Sequence, residues 1–355
     1  MKDTLARFID AQNNLVVQHS DFSLRALHDM AASGSIDLAP HYQRRDRWSS
    51  EKQSALIESF ILNVPVPPVY LSEDDFGRYS VIDGKQRITA IKAFLGGELR
   101  LKGLSKFHEL EGCRFSDLPA QIQNALSVRP YIRVITLLKQ TDPYLKFEVF
   151  LRLNTGGEKL RAQEIRNVAF SGQLNDLLIR LSRTPFLWRQ MKIRNEKSTS
   201  YRSMEDVEHV LRYFTLASKW QNIGQGLADE MDAFMVRHRE ASGPELLALE
   251  KQFIYSIEGC EKIFGRHAFK KPQGAGWRDQ FISPLFDAEM VAVSLLNPGQ
   301  VQRVAARSDG VLQSLMDVYR DDLIFAKSVS QATNNPASVA RRIQTVSGIL
   351  ANHSR

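Results

Sequence analysis

The stretch YSVIDGKQRITAI, residues 79–91, changes its hydrophobic period at Gly84. Before the glycine, residues 79, 81 and 83 alternate with residues 80 and 82, and this period of two is typical of a short strand. After it, Ile88 and Ile91 recur at helical spacing, which predicts a helix. Residues 83–87, with the sequence DGKQR, are therefore predicted to form a polar corner where a strand turns into a helix.

The residue types at this corner suit the binding of a phosphate group. Gly84 permits a positive φ or a close approach of the backbone to a ligand. The start of the following helix offers N–H groups and the positive end of a dipole. Lys85 and Arg87 add positive charge, while Asp83 either holds a metal ion or orients Arg87. A corner position also predicts that Arg87 is exposed and contributes little packing. The alternative is an ordinary turn with solvated charges.

Composition indicates a globular protein with a preference for anionic partners. The 355 residues allow one large domain or two ordinary ones, and 43% of them are hydrophobic. A net charge of +7 favours partners such as nucleotides or nucleic acid, although charge alone is weakly specific. The two cysteines match no metal-binding spacing and suggest a reducing compartment. We find no apolar run long enough to span a membrane and no signal-peptide pattern, so we expect a cytoplasmic protein.

The hydrophobic pattern divides the chain into two predicted domains, 1–171 and 172–355. In the first, short strand patterns alternate with helical ones, and residues 69–83 suggest a hairpin. In the second, apolar residues recur at helical spacing in several long segments. We therefore predict an α+β domain followed by an all-helical domain.

Two further polar clusters lie in the first predicted domain. The segment HYQRRDRW, residues 41–48, places Gln43 and Arg44 after an apolar strand, although it also fits a solvated basic loop. In residues 150–170, Asn154 and Glu164 are hard oxygen ligands of the kind that Mg²⁺ accepts beside nucleotide phosphates. The alternative is a helix–Gly-Gly–helix turn with a structural ion pair between Arg152 and Glu164.

A fourth cluster precedes an amphipathic helix of the second predicted domain. It contains Arg202, Glu205 and Asp206. We predict that these residues form a capping box with a buried ion pair, in preference to a catalytic site.

Taken in order, the motifs YQR…W, VPVPPVY, VIDGKQRITAI, FSDLP and RLNTGGEKLRAQEIRN resemble the N-terminal domain of GmrSD-type restriction proteins. That family is related to the ParB/sulfiredoxin-like fold. The resemblance covers roughly residues 22–171 by motif, and the helical remainder more loosely. It implies a ParB-like fold for the first domain.

The resemblance also implies roles for particular residues. The family signature D-G-Q-Q-R, tied to nucleotide binding and NTP hydrolysis, corresponds to residues 83–87, with Lys85 in place of the usual Gln. A lysine there retains phosphate affinity and leaves hydrolysis open. The catalytic candidates are Asp83, Gln86 and Arg87. The nucleotide-binding candidates are Gln43, Arg44, Gly84, Lys85, Arg87, Arg152 and Arg166. The Mg²⁺ candidates are Asn154 and Glu164.

GmrSD-type proteins often carry a C-terminal HNH nuclease domain, and residues 172–355 contain no such His-rich strand-and-helix pattern. We therefore expect a nucleoside triphosphate-binding and Mg²⁺-dependent hydrolysing component of an anti-phage or restriction system. Its expected partners are DNA and a nuclease or other defence protein, and the sequence is compatible with an oligomer. One alternative is a non-enzymatic ParB-like DNA-binding adaptor or clamp. A third, ranked last, is a DNA-nicking nuclease.

Overall fold

A computed structural model of the chain describes residues 2–38, 48–153, 161–170, 172–224, 226–274 and 276–355. The chain divides into two compact units, Met1–Ala169 and Phe170–Arg355. The first contains a mixed five-stranded sheet with helices, and the second is built mainly of helices. The predicted α+β class is thus confirmed.

The first unit begins with a helix and then alternates strands with helices. Its described strands are β1 Val17–Ser23, β2 Ile36–Asp37, β3 Val69–Asp75, β4 Arg78–Asp83 and β5 Tyr131–Leu137. Its described helices are α1 Lys2–Asn14, α2 Leu24–Ala32, α3 Ser50–Ile61, α4 Lys85–Leu95, α5 Ala120–Val128, α6 Pro143–Leu153 and α7 Ala162–Ala169. The hairpin predicted over residues 69–83 is confirmed as β3 and β4.

The sheet has the order β1-β5-β3-β4-β2. Strand β4 pairs antiparallel with β3 and parallel with β2, so the ends of β4 and β2 and the start of β3 share one edge. Tyr70 pairs with Asp83, and Asp37 pairs with Ser80. This edge carries the polar corner.

The core of the first unit contains the elements on both sides of the corner. In the middle of β4, Ser80, Val81 and Ile82 are all buried, so both faces of that strand are covered. Ile88 and Ile91 of α4 are fully buried in the cluster that contains Val81. The elements on each side of residue 84 are therefore anchored in the same core.

Glu58 of α3 fixes the loop that follows α4. Its buried carboxylate accepts the backbone N–H groups of Ser105, Lys106 and Phe107 at 2.6–3.1 Å and the Ser105 hydroxyl at 2.9 Å. Burial opposes ionisation, but these hydrogen bonds outweigh it and lower the pKa of Glu58 to about 2.

The second unit is helical, with one short ribbon of two strands, β6 Pro272–Gln273 and β7 Gly276–Trp277. Its described helices are α8 Gln173–Ser182, α9 Pro185–Gln190, α10 Thr199–Arg202, α11 Glu205–Lys219, α12 Leu227–Arg237, α13 Gly243–Phe264, α14 Ser283–Ser294, α15 Pro298–Ala306, α16 Ser308–Asp321, α17 Leu323–Ser330 and α18 Pro336–His353. Helix α14 is buried along its length and packs against α11, α13 and α18.

The capping box predicted at the start of α11 is not present in the structure. The N-cap is Met204, in the left-handed conformation with φ 56°, and its side chain makes no capping hydrogen bond. Asp206 instead turns inward, where its carboxylate accepts the Ser182 hydroxyl at 3.2 Å. Burial raises the pKa of Asp206 to about 6.

Candidate functional site

The backbone at the predicted corner takes the conformation that the sequence indicated. Strand β4 ends at Asp83, Gly84 is the N-cap residue with φ 96°, and α4 begins at Lys85. The Ile88 N–H donates to the Gly84 carbonyl at 3.0 Å and closes the first turn of α4. Residues other than glycine rarely adopt such a φ, so the turn itself favours glycine.

Packing around Gly84 excludes a side chain as well. A Cβ atom built at this position would lie 2.8 Å from Val69 Cγ2 and 3.1 Å from Arg87 Nη2. Val69 begins β3 and is fully buried. The backbone at residue 84 is therefore pressed against both the start of β3 and the guanidinium of Arg87.

Arg87 is held by two acceptors at the edge of the sheet. Its Nη2 donates to Asp83 Oδ2 at 2.7 Å and to the Pro68 carbonyl at 3.0 Å. The Arg87 side chain is only 15% exposed, compared with 44% for Asp83. The prediction of an exposed Arg87 with little packing is wrong, because the start of β3 supplies a carbonyl partner and covers the guanidinium. Of the two roles considered for Asp83, orienting Arg87 has a direct contact to support it.

Gln86 joins the corner to the segment that precedes α3. The Trp48 N–H donates to Gln86 Oε1 at 3.1 Å, and Gln53 Nε2 donates to the Trp48 carbonyl at 2.9 Å. Trp48 also packs against the core of the first unit. Residue 48 is thereby tied to the first turn of α4.

The two candidates Gln43 and Arg44 lie outside the described residues. The residues on either side of their segment are described: Asp37 lies in β2 beside β4, and Trp48 contacts Gln86. These described residues on both sides of the segment thus lie beside the elements that form the corner.

The late candidates lie on α6 and α7, which pack against each other. On α6, Arg152 Nε donates to Glu148 Oε2 at 3.3 Å. Glu164 of α7 is fully buried, and its Oε2 accepts the backbone N–H of Arg161 at 2.7 Å. Arg166 is also buried, and Asn154 lies outside the described residues. Glu164 therefore caps the first turn of α7.

The structure thus brings one part of the predicted site together. Asp83, Gly84, Lys85, Gln86 and Arg87 meet at the corner, as their adjacency in sequence required. The described hydrogen bonds of Arg152 and Glu164 are local to their own helices. Among the described residues, no group of three or more His, Cys, Asp or Glu side chains could hold a metal ion.

Sequence reasoning missed two residues at the corner. Pro68 provides the carbonyl that accepts from Arg87, and Val69 closes the space beside Gly84. Both belong to the motif VPVPPVY. Because the pairing of β3 with β4 brings them there, local pattern alone carries no signal for these contacts.

The fold and the corner define an α+β domain whose polar residues gather at one strand-to-helix turn, followed by a helical unit. Residues 26–171 match the family model described as GmrSD restriction endonuclease, N-terminal domain. That range contains the whole corner as well as α6 and α7, so this part of the chain is similar to a GmrSD-type N-terminal domain. No curated protein and no solved structure matches the chain significantly. Across the part of the chain that the structure describes, no helix is both long and apolar enough to cross a membrane.

Proposed function

We propose that the chain is a nucleoside triphosphate-binding component of a restriction or anti-phage system, and that it hydrolyses the nucleotide with Mg²⁺. The family match to the N-terminal domain of a restriction endonuclease supports the biological context. The observation that carries the nucleotide site is the Gly84 N-cap, where a left-handed glycine leads into α4 next to Lys85 and Arg87.

The corner suits a phosphate group for three reasons. A glycine at the N-cap brings no side chain between a ligand and the first turn of the helix. The helix dipole favours an anion at this end, and Lys85 adds a full positive charge at the first position of α4. Arg87 is already fixed by Asp83 and Pro68, so its charge needs no reorganisation when a ligand binds.

Gln86 connects the corner to the part of the sequence that contains two further candidates. It holds Trp48, and Gln43 and Arg44 lie a few residues before Trp48 in the sequence. These two residues are proposed to contact the nucleotide from that segment. Arg152 and Arg166 are retained as proposed nucleotide ligands on α6 and α7.

A Mg²⁺ ion bound with nucleotide phosphates needs only one or two protein carboxylates. Asp83 is the half-exposed carboxylate at the corner, and its Oδ2 is shared with Arg87. The chemistry of this oxygen donor fits a Mg²⁺ ion that keeps several water ligands. Glu164 and Asn154 remain proposed ligands, although the capping bond of Glu164 gives that residue a structural role as well. When bound, the ion would neutralise charge on the phosphates.

Phosphate release tests the proposal. The full chain is incubated with each common NTP and dNTP plus Mg²⁺, with and without duplex DNA, and equilibrium binding is measured by calorimetry. We expect Lys85→Met, which keeps the length of the side chain and removes its charge, to weaken binding about 10- to 100-fold, since a hydrogen-bonded charge contributes about 1.5–3 kcal/mol. Lys106→Met, which removes the same charge from an exposed loop of the first unit, should bind as the parent does. Equal affinities of the two variants, or no nucleotide binding by the parent, would refute the corner as the site.

DNA is the proposed second partner, and the same samples test it. The positive net charge favours an anionic polymer, and contacts to phosphates make affinity fall steeply with salt. DNA binding without nucleotide binding would favour the non-enzymatic adaptor instead.

A further inference from the structure

The second unit contains a cleft that the proposed nucleotide site does not use. Its volume is about 450 Å³, which is within the range of small-molecule sites. The walls come from α11, from the segment around β6 and β7, from the start of α14 and from the connection between α17 and α18. All of these residues belong to Phe170–Arg355.

The lining of the cleft is strongly basic. Arg212, Lys271 and Arg278 line it, and none of its described lining residues is acidic. Lys271 is half-buried and Arg278 is exposed, and neither forms an ion pair with any residue that the structure describes. The nearest acid in sequence, Asp279, is instead paired with Lys192 and Lys270. The rim therefore carries two positive charges without a counter-charge in contact.

The floor of the cleft adds a further positive charge. Arg212 is 6% exposed and donates from Nε and Nη2 to the two oxygens of Asp287, at 3.1 and 2.5 Å. Arg342 is fully buried and donates to the same carboxylate at 2.7 Å. Two guanidinium groups thus share one buried carboxylate. Glu208, the next acid along α11, acts on Arg212 only through space, without a hydrogen bond among the described contacts.

The start of a helix makes the floor more suitable for an anion. Helix α14 begins at Ser283 in the wall of the cleft, and its N-cap residue Ile282 makes no side-chain capping bond. The positive end of this twelve-residue helix therefore faces the same space as the arginine.

One wall is apolar and rigid. Phe281 lines the cleft, and its ring packs edge-on against His209 and Phe269. A flat ring on a ligand would find a hydrophobic surface there, next to the basic floor.

We propose that this cleft binds a small phosphate monoester that carries a ring or another apolar group. The charge of the lining favours a dianion over a monoanion. Lys271 and Arg278 carry two positive charges at the rim, and Arg212 and Arg342 together carry one more positive charge than Asp287 neutralises. The low exposure of Arg212 favours a terminal phosphate, because a terminal group reaches a largely covered guanidinium more easily than the diester backbone of a duplex does. The volume exceeds that of phosphate alone, and the Phe281 wall suits the remainder of the ligand.

Phenyl phosphate is the probe for this test, titrated into the full chain by calorimetry at low ionic strength. The rim variant Lys271→Gln/Arg278→Gln leaves the buried network of Arg212 intact. The control variant Lys251→Gln/Lys262→Gln removes the same charge from exposed positions on α13 of the same unit. We expect the rim variant to bind at least about tenfold more weakly and the control to bind within about twofold of the parent. Benzoate should bind more weakly than phenyl phosphate.

Four results would overturn the proposal. The first is that phenyl phosphate at millimolar concentration does not bind the parent detectably, and the second is that the rim variant binds it as the parent does. The third is that both double variants lose the same affinity for phenyl phosphate. The fourth is that the rim substitutions weaken the binding of unphosphorylated duplex DNA and leave the binding of phenyl phosphate unchanged. The variant Lys85→Met separates this site from the proposed nucleotide corner, because it should leave phenyl phosphate binding at the cleft unchanged. Phenyl phosphate binding lost in Lys85→Met but retained in the rim variant would assign the probe to the corner and reject the cleft.

Discussion

Replacement of Gly84 by alanine tests the geometry on which the proposed nucleotide site depends. Two independent costs arise at this position. The backbone has φ 96°, and the new Cβ would lie 2.8 Å from Val69 Cγ2, closer than carbon atoms approach in folded proteins. Val69 is fully buried at the start of β3, so it has little room to move.

The magnitude follows from adding the two costs. A left-handed conformation costs an alanine roughly 1–2 kcal/mol, and overpacking a filled core costs about 1–3 kcal/mol. Gly84→Ala should therefore lower the free energy of unfolding by about 2–5 kcal/mol. Gly34, after α2 in the same unit, separates the costs because its φ is 79° and a Cβ added there would have no atom within 4 Å. Gly34→Ala should lower the free energy of unfolding by only about 1–2 kcal/mol.

Urea unfolding followed by circular dichroism gives both values, and calorimetry gives nucleotide affinity for the variants that remain folded. We expect Gly84→Ala to lose nucleotide binding, since the Cβ would also displace the guanidinium of Arg87, while Gly34→Ala retains it. Equal destabilisation by the two substitutions would refute the close packing at residue 84. Unchanged nucleotide affinity in a folded Gly84→Ala variant would refute the corner as a phosphate site.

Three other predictions concern buried carboxylates. The pKa of Asp206 is raised by burial from 3.8 to about 6, so the folded state loses stability as pH rises through this interval. Asp206→Asn should therefore raise the free energy of unfolding by about 2–3 kcal/mol at pH 7 and by much less at pH 4, and a gain independent of pH would contradict this. Glu58 has a pKa of about 2 in the fold against 4.5 as its ordinary value, so stability should fall as pH drops from about 4.5 toward 2. Urea midpoints measured across that range should show a smaller slope in Glu58→Gln than in the parent, and equal slopes would contradict this. Asp287→Asn removes the counter-charge of Arg212 and Arg342 and should cost about 3–5 kcal/mol in urea unfolding, whereas a change below about 0.5 kcal/mol would show that the network is not buried as described.

The parts of the fold that the sequence predicted are those set by neighbours in the chain. The period change at Gly84 and the hairpin of β3 and β4 both depend on residues that are close to one another in the sequence. In each case the local preference and the buried face agree, so the pattern and the structure coincide.

The features that the sequence did not predict depend on distant segments. Arg87 is half-buried because β3 pairs with β4 and brings Pro68 to it, a contact across 19 positions. Asp206 faces inward, where the hydroxyl of Ser182 on α8, 24 positions away, donates a hydrogen bond to it. Local rules gave a capping role to Asp206 and an exposed position to Arg87. Tertiary packing overrode both.

The contacts of Arg87 with Asp83 and Pro68 change which substitutions can separate structure from function at the corner. Removing Arg87 would leave Asp83 and the Pro68 carbonyl without their donor, so a loss of nucleotide binding in Arg87→Ala would follow from a distorted turn as readily as from a lost phosphate contact. Lys85 occupies the first position of α4, where a change to Met preserves most of the side chain and removes its charge. The arginine therefore shapes the corner by holding Asp83 against the start of β3, and the lysine beside it provides the sharper test of whether that shape binds a phosphate.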